Sequence, residues 1–377
     1  MKITGLNIHL AKEWRTFLFI TIETDAGITG IGEAGLTGRE LAVKGALEHF
    51  EPLIIGEDPF RIEHIWQKLF RGGFFPAGPI GSSAISAIDL ALWDIKGKAL
   101  ETPVYQLLGG QCRDRLKTYC HLHGRGVDGI TQSARQAVDE GWKSLRWEPH
   151  YEADGVIEPA ASVTESLRQW EAVRGVVGDD IDLCFDVHTR LGLSDAIRLC
   201  KGVEAFRPFF MEDPLRSEAA GIYDRLREQV SVPLAAGEQF ASKWQYKPLV
   251  ENRLIDFARL DLCVGGGLTE ARKIAGWCET NLIDIAVHNP IGPVSTAACA
   301  HFNLSLPNFG VMELPRRPED CLSDVISTAC HWQDGFVTLE DRPGLGIEID
   351  FEGLARYPFE MVELPHIQRA DGSFTNW

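Results

Sequence analysis

The sequence predicts an α/β chain, a TIM-type (β/α)8 barrel with an N-terminal α+β capping domain that the C-terminal tail completes. Three observations lead there. Eight short apolar segments alternate with longer helical stretches after residue 110, an alternating strand-like region precedes them, and strand and turn signals return after about residue 330. Eight βα units of this kind close into a barrel of about 250 residues, with active-site groups gathered at the C-terminal ends of the strands.

The elements follow in order. Ile3, Leu6 and Ile8 lead into FLFITIETDAG, where Asp25-Ala26-Gly27 signals a turn before ITGIGEAG resumes the alternation, which predicts a β-meander. From about residue 38 the period becomes helical, and Ala84, Ala87, Ile88, Ala91, Leu92 and Ile95 share one face. After Leu107-Leu108-Gly109-Gly110, strands are expected near 116–121, 143–148, 181–186, 207–212, 232–238, 255–261, 282–287 and 309–314. The helices between them carry apolar stripes such as Ala196, Ile197, Cys200 and Val203, or Ala271, Ile274, Ala275 and Cys278. DGFVTLEDRPGLGIEID then reads as strands and turns. The expected division is a capping domain over 1–112, a barrel over 113–330, and a C-terminal segment over 331–377 that packs back on the cap.

Composition narrows the partners. The 377 residues carry a net charge of −17, which argues against nucleic acid or an anionic membrane and favours a small molecule. Nine cysteines, an odd number with no CxxC spacing, read as reduced intracellular thiols. The N-terminus lacks a signal-peptide pattern, and the most apolar run, 84–95, is broken by Asp89 and Asp94 and followed by Lys96. A cytoplasmic protein is expected.

Five predicted strand ends carry an acid: Asp186, Glu212, Glu238, Asp261 and Glu313. Asp186, Glu212 and Glu238 are spaced by equal steps of 26 residues, one βα unit each. Strand parity turns Asp182, Cys184 and Asp186 inward and Ile181, Leu183 and Phe185 toward the helices. Carboxylates converging on one mouth repel each other unless a cation is bound, and an all-oxygen donor set suits Mg²⁺. Separate surface acids or helix caps are the alternative, and Asp213 competes with Glu212 on spacing alone. His288 closes the apolar strand LIDIAV, one unit after Asp261. A carboxylate on the imidazole would fix its tautomer and raise its basicity, as a general base requires. A structural histidine satisfied by backbone is the competing reading.

Here the residues resemble a known family. SSAISAIDLALWDIKGKALETPVYQLLGG, FDVH, MEDP, AGEQF, LDLCVGGG, HNP and MEL together are similar to the enolase superfamily, and within it the mandelate racemase subgroup, over nearly the whole chain. The resemblance implies Mg²⁺ on Asp186, Glu212 and Glu238, and a His288–Asp261 dyad that abstracts the proton α to a substrate carboxylate, with the metal stabilising the enediolate. It also implies that Glu313, as a protonated carboxyl, hydrogen-bonds the substrate. The subgroup's usual Lys-x-Lys is replaced by Arg146 and Glu148 in GWKSLRWEP, which disfavours a two-base Lys/His racemase. His188, in Asp186-x-His188, can instead serve as the acid for a β-hydroxyl. The pattern looks most similar to the galactonate dehydratase branch of sugar acid dehydratases, and so implies loss of water from an aldonate to a 2-keto-3-deoxy sugar acid. A homo-oligomer is usual in this family.

Arg146, Glu148, Arg190 and His121 are the expected substrate-binding residues, a solvated arginine being the alternative for Arg190. Lys12–Arg15 and RGGFFPAGP, over 71–79, are expected to contact the distal part of the substrate, with Phe74 and Phe75 excluding water. The glycines at 265–267 suit either backbone approach to an anion or a tight strand-to-helix turn.

Overall fold

Alternation in the first 34 residues makes three antiparallel strands, β1 (Ile3–Lys12), β2 (Thr16–Thr24) and β3 (Thr29–Ala34), in the order β1-β2-β3. In the computed structural model, which describes residues 1–149 and 155–376, three helices follow this meander, the first and third packing on it and the second on them. They are α1 (Glu40–Ile54), α2 (Ile62–Arg71) and α3 (Gly78–Ala99). α3 is buried nearly all round, as a helix held between two layers must be. It packs so close to β3 that a Cβ on Gly32 would lie 1.9 Å from the Ala87 carbonyl oxygen.

A single turn, α4 (Val104–Leu107), leads to the barrel. Its strands and helices run β4 (Leu116–His121), α5 (Gly126–Asp139), β5 (Ser144–Trp147), α6 (Pro159–Val177), β6 (Asp182–Asp186) and α7 (Leu193–Val203). They continue with β7 (Phe210–Glu212), α8 (Tyr223–Arg227), β8 (Leu234–Ala236), α9 (Lys243–Glu251), β9 (Phe257–Ala258) and α10 (Gly267–Thr280). β10 (Asp284–Val287), α11 (Pro293–Ser305) and β11 (Phe309–Glu313) complete the set. All eight strands pair in parallel, and β11 pairs with β4 to close the ring. Strand parity behaves as expected: Cys184 joins Tyr119, Phe210, Ala235, Phe257, Ala286 and Val311 inside the barrel. Leu183 and Phe185 face outward, where Phe185 lies 5.2 Å from Trp147 and 5.9 Å from Trp170 between ring centroids.

The acids that interrupt the apolar run of α3 join the cap to its surroundings. Asp89 accepts the Thr269 amide at 3.0 Å, and Asp94 accepts the amides of Ile31 and Leu345 at 2.9 and 2.8 Å. No helix among the described residues is long and apolar enough to cross a membrane. The glycines at 265–267 serve this packing. A Cβ on Gly267 would lie 2.3 Å from Asp89, and the Gly266 carbonyl accepts from Trp66 Nε1 at 2.9 Å.

In the tail, β12 (Ile326–Thr328) pairs with β15 (Ile347–Ile349), while β13 (Cys330–Gln333) and β14 (Phe336–Leu339) form a hairpin. β14 also pairs antiparallel with the start of β4, so the hairpin extends the barrel sheet. Residues 344–364 touch the cap, through Gly344 on Val104, Tyr357 on Lys12 and Glu363 on Arg39. Residues 366–376 return to the barrel mouth, and Trp377 lies outside the described residues.

Candidate active site

The carboxylate ring forms because β6, β7 and β8 end at one level: Asp186 pairs in register with Glu212, and Glu212 with Ala235 beside it. Asp213 follows with φ 35, a left-handed turn that strand alternation cannot foresee. Both Glu212 and Asp213 thereby reach Glu238. Ligand atoms of Glu212, Asp213 and Glu238 lie within 4.8 Å of one another, and so do those of Asp186, His188 and Glu238. Glu238 is common to both groups. The expected trio of Asp186, Glu212 and Glu238 is thus split into two overlapping clusters, with Asp213 added.

Two buried arginines hold the ends of this set. Arg146 on β5 donates to Asp186 Oδ2 and lies 2.7 Å from His188 Nε2. Arg259, two residues past Phe257 in β9, donates to Glu212 Oε1, to Glu313 Oε2 at 2.6 Å and to the Ala286 carbonyl at 2.9 Å. Arg259 was not singled out from sequence, although FARLDL places it two residues before Asp261, with matching parity, inside an apolar strand. Arginine is almost never buried without an anionic partner, so that signal was available.

Electrostatics divide the acids. Burial, joined by Asp186 and the neighbouring acids, pushes the carboxyls of Glu212, Asp213 and Glu238 upward. Burial also works against ionised Asp186, but the Arg146 guanidinium and His188 overcome it and hold this carboxyl well below the usual range. Glu212 Oε2 and Glu238 Oε2 are buried with no hydrogen-bond donor among the described residues. Oxygen-rich, mutually repelling and incompletely satisfied, the set fits a hard divalent cation.

His288 follows β10, and its Nδ1 lies 2.7 Å from Asp261 Oδ2. Asp261 Oδ1 is fixed by the Cys263 amide at 2.6 Å, and His288 Nε2 faces Glu238 Oε2 at 3.5 Å. His188 also comes within reach of Glu238, their ligand atoms lying within 4.8 Å of each other. Its Nε2 lies 2.6 Å from Asp186 Oδ2 and its Nδ1 lies 2.9 Å from Glu148 Oε2. Burial opposes a charge on this imidazole, yet Asp186 and Glu148 hold its pKa above the ordinary value.

Of the expected substrate-binding groups, Arg146, Glu148 and Arg190 are engaged with the protein. Arg190 is buried, not solvated, and its Nη2 donates to Glu148 Oε2 at 2.9 Å beside His188 Nδ1 at 3.1 Å. His121 Nε2 lies 2.6 Å from Glu313 Oε1, and burial together with Arg146 lowers its pKa to about 4. His121 also lines a cavity of about 710 Å³ that opens between α5 and the segment after β11, with His123, Gln132, Gln136 and Arg316.

Two expected groups stand in unexpected settings. Glu313 accepts from Arg259 and from the Asn289 amide at 2.9 Å, and despite burial Arg259 and His121 pull its carboxyl well below the usual range, toward the ionised form. Phe74 and Phe75 are 94% and 80% exposed, so in this conformation neither covers the site. On the other cap loop, the Arg15 guanidinium donates to Thr37.

Residues 8–109 match the mandelate racemase / muconate lactonizing enzyme N-terminal domain, and residues 129–353 match the enolase C-terminal domain-like family. The whole chain is 37% identical to the full length of a D-galactonate dehydratase family member from Marinomonas sp. (strain MWYL1). It is 36% identical, again over both full lengths, to a D-mannonate dehydratase from Caulobacter sp. (strain K31). An enolase from Pantoea ananatis, solved with bound D-gluconate and Mg, superposes with a TM-score of 0.94 at 33% identity, covering 99% of each chain. A closed barrel with acids at adjacent strand ends, an antiparallel cap and these matches across both domains lead to one conclusion: the chain belongs to the enolase superfamily, in its mandelate racemase/muconate lactonizing enzyme branch.

Proposed function

We propose that this protein is a Mg²⁺-dependent hydro-lyase that removes water from a six-carbon aldonate to give a 2-keto-3-deoxy sugar acid. The galactonate and mannonate dehydratase relatives and the gluconate-bound neighbour support that substrate class, and D-galactonate is the first candidate. The observation that carries the reading is that two differently supported imidazoles both come within reach of Glu238.

Glu238 with Glu212, Asp213 and Asp186 would hold the cation. When bound, it supplies positive charge at the substrate carboxylate and so makes the C2 proton more acidic. His288 is the general base. With Nδ1 donating to Asp261, its Nε2 is the free acceptor that takes the C2 proton, and Asp261 then balances the imidazolium. His188 is the acid. A carboxylate at each ring nitrogen favours its doubly protonated form, ready to give a proton to the departing C3 hydroxyl. The C2–H pair becomes the C2–C3 double bond, the C3–O bond breaks, and the hydroxyl leaves as water with the proton from His188. The enol then tautomerises to the ketone. His121 lines both the site and the adjoining cavity, where distal hydroxyls can be bound.

The test is an endpoint screen of the protein with Mg²⁺ against a stereochemically complete set of four- to six-carbon aldonates and aldarates. Products are detected as semicarbazones, with an EDTA control. A metal-dependent 2-keto-3-deoxy product is expected. Exchange of the C2 proton in D₂O with no dehydration on any member would instead favour an epimerase.

A further inference from the structure

His188 sits on strained backbone. It and Thr189 have φ of 50 and 57, two consecutive left-handed residues, and Thr189 is β-branched and only 2% exposed. Such a conformation persists only where the surroundings over-determine it. One restraint comes from the barrel: the Thr189 amide donates to the Asp213 carbonyl at 2.8 Å. The other comes from the far end of the chain. Asn376 Nδ2 donates to Thr189 Oγ1 at 2.7 Å and to the Thr189 carbonyl at 3.4 Å, across 187 positions of sequence.

The segment that delivers Asn376 is itself anchored beside the preceding barrel loop. Gln368 donates to the Gly155 carbonyl at 3.0 Å and accepts from the Ile157 amide at 2.8 Å, and the Ala370 amide donates to Glu158 at 2.9 Å. The strand then turns back, with Gln368 bridging antiparallel to Phe374. One arm of this small hairpin holds Gly155, Ile157 and Glu158 at the start of α6, and the other ends on the residue after His188. Glu148 and His188 are in direct contact at 2.9 Å.

We propose that residues 366–376 form a clasp in which Asn376 is a positioning residue for His188, setting the imidazole for the C–O cleavage step without touching substrate. This rests on the dehydratase reading above, in which His188 serves that step and His288 serves proton abstraction. The two steps therefore separate the clasp from general stability.

With a substrate identified by the screen, Asn376→Ala should lower kcat for dehydration by about tenfold or more, as small misplacements of an acid do. KM, the melting temperature and the rate of C2-proton exchange in D₂O should remain close to those of the parent. Asn376→Gln, which keeps the carboxamide donor, should recover part of the loss. Thr189→Val removes the same hydrogen bond from the other side and should behave like Asn376→Ala, and the double variant should be no worse than either. It also serves as the probe if Asn376→Ala does not fold. Unchanged dehydration, or dehydration and exchange falling together, would overturn the clasp. A His188→Asn variant with full turnover would instead overturn the underlying assignment of His188.

Discussion

Arg259 Nη2 donates to Glu313 Oε2 at 2.6 Å while Arg259 Nε donates to Glu212, so one buried guanidinium spans the carboxylates of β7 and β11 across the barrel. Removing one partner from such a pair leaves uncompensated buried charge, which costs about 3–5 kcal/mol. Arg259→Met should therefore lower the free energy of unfolding by that amount, measured by denaturant titration. Arg259→Lys should keep the charge but not the two-sided contact, and should fall between the parent and Arg259→Met.

Glu238 belongs to both acidic clusters, which makes it the single most sensitive position for metal binding. Mg²⁺ should raise the melting temperature of the parent, by mass action worth about 2.7 kcal/mol at a hundred times Kd. Glu238→Gln should show no such rise, and EDTA should abolish turnover. Equal Mg²⁺ stabilisation of both proteins would place the cation elsewhere.

The His288–Asp261 contact of 2.7 Å predicts paired losses. His288→Asn and Asp261→Asn should each reduce kcat by about a hundredfold to ten-thousandfold, the usual worth of a positioned base. The double variant should be little worse than His288→Asn, because Asp261 acts through the imidazole. Steady-state kinetics on the identified substrate decide this, and independent, additive losses would argue against the dyad.

Glu33 on β3 is fully buried and accepts the Ser295 amide at 2.8 Å at the start of α11. Burial pushes its carboxyl up to about 8 from an ordinary 4.5, against the pull of the Ser295 amide and Arg15. The folded pKa is the higher one, so folding takes up a proton between the two values. The stability this group contributes is full below pH 4.5 and lost as pH rises through about 8. Glu33→Gln keeps an acceptor for Ser295 and removes the titration. Its melting temperature should match the parent at pH 5 and exceed it at pH 9. Parallel melting curves across that range would show that Glu33 does not titrate in the fold.

By itself the sequence determined the layout: an alternating meander, eight strand–helix units and acids at regular strand-end spacing are properties of period and count, which local geometry imposes before any tertiary contact forms. The inward direction of Asp186 and the adjacency of Asp261 and His288 follow from the same rule, since parity and a step of one βα unit translate directly into position. Only the tertiary structure decided the rest. The turn at Asp213 breaks parity through a left-handed φ that pairing across strands selects. Arg259 reaches Glu313 from another strand and draws it toward the ionised form, where burial alone argued for the opposite charge state. Arg190 is buried against Glu148, where the sequence left substrate binding or a solvated side chain as the readings. Asn376 meets Thr189 only because the tail folds back across the mouth. Each of these depends on a partner distant in sequence, and no local pattern encodes which charge or donor a folded chain brings alongside.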